Sequence, residues 1–69
     1  MIKFRPHRGI LADSMERVIE VEDKFDLIEK LDLTHRVTCH WYAYDARTGW
    51  DTWIISTGEG VIGFTNGEL

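Results

Sequence analysis

The sequence predicts an α+β fold: one helix packed on a mainly antiparallel sheet of about five strands, ending in a three-strand meander. Three observations lead there. Ile2 and Phe4 alternate with Lys3 and Arg5, the pattern of a strand with one buried face. The segment after Asp23 spaces its apolar residues as a helix does. From Arg36 onward the period becomes two, interrupted only at Asp45–Gly49 and Gly58–Gly60. One helix covering one sheet face is the economical way to bury such a set.

The elements follow in order. The first strand should end at Pro6 or lie at an edge, because proline cannot donate to a ladder. Gly9 marks a turn, and Leu11–Met15 has the length of a single helical turn. Arg17 to Glu22 alternates again and reads as a strand. Asp23 is a good N-cap, and Asp26 stands where a capping box places its second member. Phe25, Leu27, Ile28 and Leu31 share one broad arc of the helical wheel, with Asp26, Glu29 and Lys30 on the other side. The helix should stop by Asp32 or Leu33.

In the next strand Val37, Cys39, Trp41 and Ala43 fall on one face and Thr38, His40, Tyr42 and Tyr44 on the other. Asp45–Gly49 is a hairpin loop with glycine at its end, and Trp50 to Thr57 is the return strand. Gly58–Gly60 makes a second turn before a last strand, Val61 to Thr65. Alternation places Trp41 and Trp53 in the core and leaves Tyr42, Tyr44 and Trp50 exposed at the hairpin.

A chain of 69 residues with no repeat, linker or low-complexity tract forms one domain, residues 1–69. At this size only roughly 60% of the unfolded surface is buried, so the stability margin is thin. The single cysteine, Cys39, excludes an intramolecular disulfide and fits a reducing compartment. Eight aromatic residues supply core material instead, and homodimerisation is the other common aid to small domains. No signal-peptide pattern opens the chain and no apolar run is long enough to span a bilayer. A soluble, cytoplasmic protein, monomeric or homodimeric, is expected.

Charge is uneven. Residues 1–12 hold Lys3, Arg5 and Arg8 and no acid; residues 13–32 hold eight acids against three bases; the whole chain carries −4. Such a domain is a poor nonspecific DNA binder, which depends on phosphate neutralisation. Its acidic segment is suited either to solubility or to a basic surface on a protein partner. Arg5, His7 and Arg8 could bind an anion, since guanidinium forks match phosphate and carboxylate, or they pair internally with the nearby acids.

Catalytic signatures are absent. Cys39 and His40 are adjacent on a strand, point to opposite faces and cannot share a metal. No motif positions Ser14 as a nucleophile, no CxxC or HExxH occurs, and no cofactor is expected. Tyr42, Tyr44, Trp50 and Arg47 have the composition of an interface anchor, or of a platform that stacks a nucleobase.

The opening Met1-Ile2-Lys3-Phe4-Arg5-Pro6-His7-Arg8-Gly9, with Leu11 and Ser14-Met15 behind it, resembles a group of short proteins of bacteriophages and prophages. The resemblance covers mainly this first quarter and brings no catalytic residues with it. It implies a setting in the host bacterial cell, where small acidic phage proteins often inhibit host defence, anti-CRISPR proteins among them. The expected function is therefore non-enzymatic: inhibition of a bacterial defence nuclease by occupying its basic, nucleic-acid-binding surface. Glu16, Glu20, Glu22, Asp26 and Glu29 would meet that surface, and Tyr42, Tyr44, Arg47 and Trp50 would anchor it. The alternatives are a binder of a small signalling nucleotide, using Arg5, His7 and Arg8, and a structural or assembly subunit of a phage particle.

Overall fold

A computed structural model describes residues 1–7, 18–34 and 36–69. The turn expected at Gly9, the helical turn at Leu11–Met15, and Arg8, Glu16 and His35 lie outside the described residues. The elements run β1 (Ile2–Pro6), β2 (Ile19–Val21), α1 (Lys24–Leu31), β3 (Thr38–Asp45), β4 (Trp50–Thr57) and β5 (Gly60–Thr65). All strand pairs are antiparallel and form one sheet in the order β2-β1-β5-β4-β3. The expected architecture is thus the observed one, with β3-β4-β5 as the meander.

Pro6 is tolerated for a directional reason. The His7 N–H donates to the Ile62 carbonyl of β5 at 2.8 Å. Alternation then points the Pro6 nitrogen the other way, past the end of β2, whose pairing with β1 stops at Phe4↔Ile19. No ladder needs a donor there. The junction of β1 with the end of β5 is closed by the Lys3 N–H on Asn66 Oδ1 at 2.8 Å and the Asn66 N–H on the Lys3 carbonyl at 3.2 Å.

The helix begins and ends as its sequence directs. Asp23 is the N-cap and accepts from the Asp26 N–H at 2.8 Å; Asp26 in turn accepts from the Glu22 N–H at 2.9 Å. At the other end Asp32 takes a left-handed conformation, φ 53°. The Asp32 N–H then reaches the Glu29 carbonyl and the Leu33 N–H the Ile28 carbonyl, the paired closure of a Schellman end. Leu27 is the helix residue that is fully buried.

Phe25 departs from expectation. It lies outside the core, 73% exposed. On the wheel it falls about 60° beyond Ile28, and a helix of two turns buries only the narrower arc of Leu27, Ile28 and Leu31.

Cross-strand partners share a sheet face, so the register assigns sides. The helix-side face carries Phe4, Pro6, Gly63, Thr65, Trp53, Ile55, Cys39 and Trp41. The far face carries Lys3, Arg5, Phe64, Ile54 and His40. The core sits under the helix and is built from Phe4, Val21, Leu27, Val37, Ile55 and Ile62.

Two irregularities shape this sheet. Ile62 has no partner on β4, because the register shifts between Ile55 and Ser56, and its side chain is buried in the core. The other shift, between Trp41 and Ala43, leaves Tyr42 as the extra residue of a β-bulge. A one-residue insertion exchanges the faces of everything after it. Ala43 therefore pairs with Thr52 on the far face, and Tyr44 pairs with Asp51 on the helix side. This corrects the strict alternation expected from the sequence, which put Ala43 with Trp41 and Tyr44 with His40.

Trp41 is a second correction. It lies on the face expected for it but is 58% exposed. The eight residues of α1 give a helix of about 12 Å, too short to extend over the whole row, and its β3 end at Trp41 stays open. Trp53, its cross-strand partner, is half-buried.

Candidate functional site

Among the described residues, the exposed end of β3 and its hairpin gather the largest group of neighbouring exposed aromatic side chains. Trp41, Tyr42 and Tyr44 are consecutive or nearly so, and 58%, 60% and 61% exposed. The bulge is what brings Trp41 and Tyr44 to one face, with Tyr42 at the kink between them. Large aromatic groups left in water at one end of a sheet are the material of an interface anchor.

The hairpin that carries them is held by its own residues. The Asp45 carbonyl accepts the Gly49 N–H at 2.8 Å and the Thr48 N–H at 3.2 Å, and Gly49 has φ 78°, which suits glycine. Asp45 Oδ1 accepts the Arg47 N–H at 2.9 Å and faces Arg47 Nε at 3.3 Å. The Arg47 guanidinium and N–H, with a smaller contribution from the charge of Arg5, hold the Asp45 carboxyl below its ordinary pKa. Arg47 is therefore engaged with its own turn, while Trp50 is half-buried opposite Asp45 on the far face.

The acidic residues gather elsewhere. Glu20 lies on β2, at the sheet edge opposite β3, and Lys30 Nζ donates to its carbonyl at 2.7 Å. Asp26 is 3.3 Å from Lys30 Nζ as well as bonded to Glu22. Glu22 and Glu29 are exposed. Glu20 and the aromatic hairpin thus occupy opposite edges rather than one patch, and the Asp26 carboxylate is used internally.

Asp26 supplies a pH test. The Glu22 N–H, and then Lys30, hold its carboxyl below the ordinary aspartate value of 3.8. A group whose folded pKa is lowered stabilises the fold above its unfolded pKa and loses that contribution as pH falls through the folded value. The stability difference between wild type and Asp26→Asn should therefore be full near neutrality and shrink below 3.8. Urea titrations across that range check this; a difference independent of pH would refute it.

The N-terminal cations divide. Arg5 lies on the far face with its guanidinium 4.9 Å from the Phe64 ring centre, and His7 meets the same ring edge-on at 5.9 Å. The Arg5 Nε–H is buried with no hydrogen-bond acceptor among the described residues. Arg5 and His7 thus converge on Phe64, a partner that the sequence reading had not singled out.

Two further features escaped that reading. Trp41 is exposed where burial was expected, and an open groove of about 710 Å³ lies between α1 and the start of β3, lined by Phe25, Ile28, Val37, Cys39 and Leu69 among others. The off-arc wheel position of Phe25 was the available signal for the second. Among the described residues no helix is long and apolar enough to cross a membrane. Compared with known proteins, the chain matches no family model, no curated protein sequence and no solved structure.

Proposed function

We propose that this protein is a non-catalytic binding protein that docks the aromatic end of its sheet on a host protein. The observation that carries the reading is the row Trp41, Tyr42 and Tyr44, each more than half exposed on one strand. Arg47 and Trp50 border it. Burying groups of this kind supplies most of the affinity of a typical interface, with surrounding contacts excluding water.

The proposed target class is a bacterial defence nuclease, as in anti-CRISPR inhibition within the host cell. Two things support it: the likeness of the first nine residues to phage proteins, and a net charge of −4 suited to a basic, nucleic-acid-binding surface. Because the acidic edge and the aromatic edge are opposite, their roles differ. The aromatic end anchors, and Glu20, Glu22 and Glu29 draw the protein in at longer range. Glu16 belongs to the same proposed acidic set, while Asp26 contributes charge only through its ion pair with Lys30.

The test is inhibition of target cleavage by a panel of purified RNA-guided nucleases. Tyr42→Ala with Tyr44→Ala should raise the inhibitory concentration about tenfold or more. Charge reversal at Glu20, Glu22 and Glu29 should weaken inhibition mainly at low salt. Inhibition unchanged by both sets, or absent from the whole panel, would overturn the reading.

The Arg5 Nε–H without an acceptor favours a second reading, a nucleotide site with phosphate at Arg5, His7 and Arg8. A ligand that binds only the native state must raise the melting temperature. No shift with a panel of nucleotides at about millimolar concentration would set this reading aside.

A further inference from the structure

The two edges of the sheet are guarded very differently. β2 is three residues long, carries Glu20 at its centre, and has the Glu20 carbonyl occupied by Lys30 Nζ at 2.7 Å. Short length, charge and a covered main-chain acceptor are the devices by which proteins prevent strand addition at an edge. β3, at the other edge, is eight residues long. Between Thr38 and Tyr44 it has no lysine, no arginine, no acid and no proline. Its bulge at Tyr42 interrupts it but leaves Thr38–Trp41 as an unbroken run.

From this contrast the geometry points to a symmetric homodimer formed by antiparallel pairing of β3 with β3 of a second copy, giving one continuous ten-stranded sheet. Two observations select a second copy as the occupant. First, the strand is uncharged from Thr38 to Tyr44, so two copies meet without like-charge repulsion, despite the acidity of the chain as a whole. Second, the run Thr38–Trp41 pairs with itself across a two-fold axis, which sets the outward main-chain donors and acceptors of one copy opposite those of the other and brings the exposed Trp41 of each copy beside the partner strand.

A two-fold axis perpendicular to the sheet keeps the helix side of both copies on the same side. The dimer therefore joins the Trp41 and Tyr44 rows of the two copies into a single aromatic strip. This goes beyond the proposed host-protein docking and does not depend on it: the dimer forms from the purified chain alone, so its test and the inhibition assay fail separately.

Sedimentation equilibrium on the purified protein is the test. The mass is expected to rise toward twice 8.1 kDa at about 100 μM. Trp41→Lys, which places a guarding charge on the edge, should return it to the monomer mass. Glu20→Lys, on the opposite edge, should leave the dimer intact. A monomer at every concentration up to about 1 mM would overturn the proposal, as would a dimer that Trp41→Lys leaves unchanged. Should that variant fail to fold, amide exchange of the wild type decides. The amides of Cys39–Trp41 should gain protection with concentration while those of β2 do not; protection at β3 that is independent of concentration would refute the dimer.

Discussion

Gly63→Ala is expected to be the most damaging single-atom-scale change in this protein, costing about 3 kcal/mol or more. Gly63 pairs with Pro6 on the helix-side face, and the Phe4 ring lies directly over it. A Cβ there would stand 2.5 Å from the Arg5 carbonyl oxygen and from Phe4 Cε1, and closer still to Phe4 Cζ. The ring cannot yield, because Phe4 is fully buried in the core, and the carbonyl belongs to a paired strand. A domain this small has a margin of roughly 3–5 kcal/mol from its core, so the variant should be largely unfolded. Urea denaturation followed by circular dichroism measures the loss. Adding Phe4→Leu should recover only part of it, since the clash with the Arg5 carbonyl remains. A Gly63→Ala protein as stable as wild type would show that β1 and β5 do not approach as described.

The second large effect separates two neighbours on one helix. Leu27→Ala should cost about 2–4 kcal/mol, because the side chain is fully buried among core residues and its removal leaves a cavity. Phe25→Ala removes a larger group and should cost less than about 0.5 kcal/mol, because Phe25 is mostly in water. Chemical denaturation of the two variants side by side checks the ordering. Equal losses would mean that Phe25 is packed after all, as its hydrophobicity alone suggests.

That pair also shows where local reasoning stops. The caps of α1 were legible because they depend on residues within one turn, Asp23, Asp26 and Asp32. The hairpin was legible for the same reason, since Asp45, Arg47, Thr48 and Gly49 bond among themselves. Alternation likewise put Phe4 on the buried face of its strand. What it could not convey was how far the helix extends over the sheet, and so Trp41 came out on the right face and in the wrong environment. Nor does alternation reveal a bulge: Tyr42 resembles any other strand residue, yet it decides the side on which Tyr44 appears. The candidate surface was legible in its composition through Tyr42 and Tyr44, while Trp50, expected beside them in water, is half-buried. Its shape, and its separation from Glu20 and the acidic edge, depended on strand order, which no local pattern encodes.

Strand order bears finally on how the protein is made. β1 lies between β2 and β5, so Phe4 pairs with Ile19 on one side and with Thr65 on the other. During synthesis the residues of β1 leave the ribosome before those of β5 and must wait for them before their second neighbour exists. Until then Phe4 has no Gly63 beneath it, and a β1–β2 ribbon by itself is too small to persist in water. The meander β3-β4-β5 is built of short-range contacts, whereas docking of β1 onto β5 closes the longest loop of the sheet and carries the larger closure cost. Folding is thus deferred until nearly all of the residues described here have been translated, and the nascent chain spends that interval with its core strand exposed.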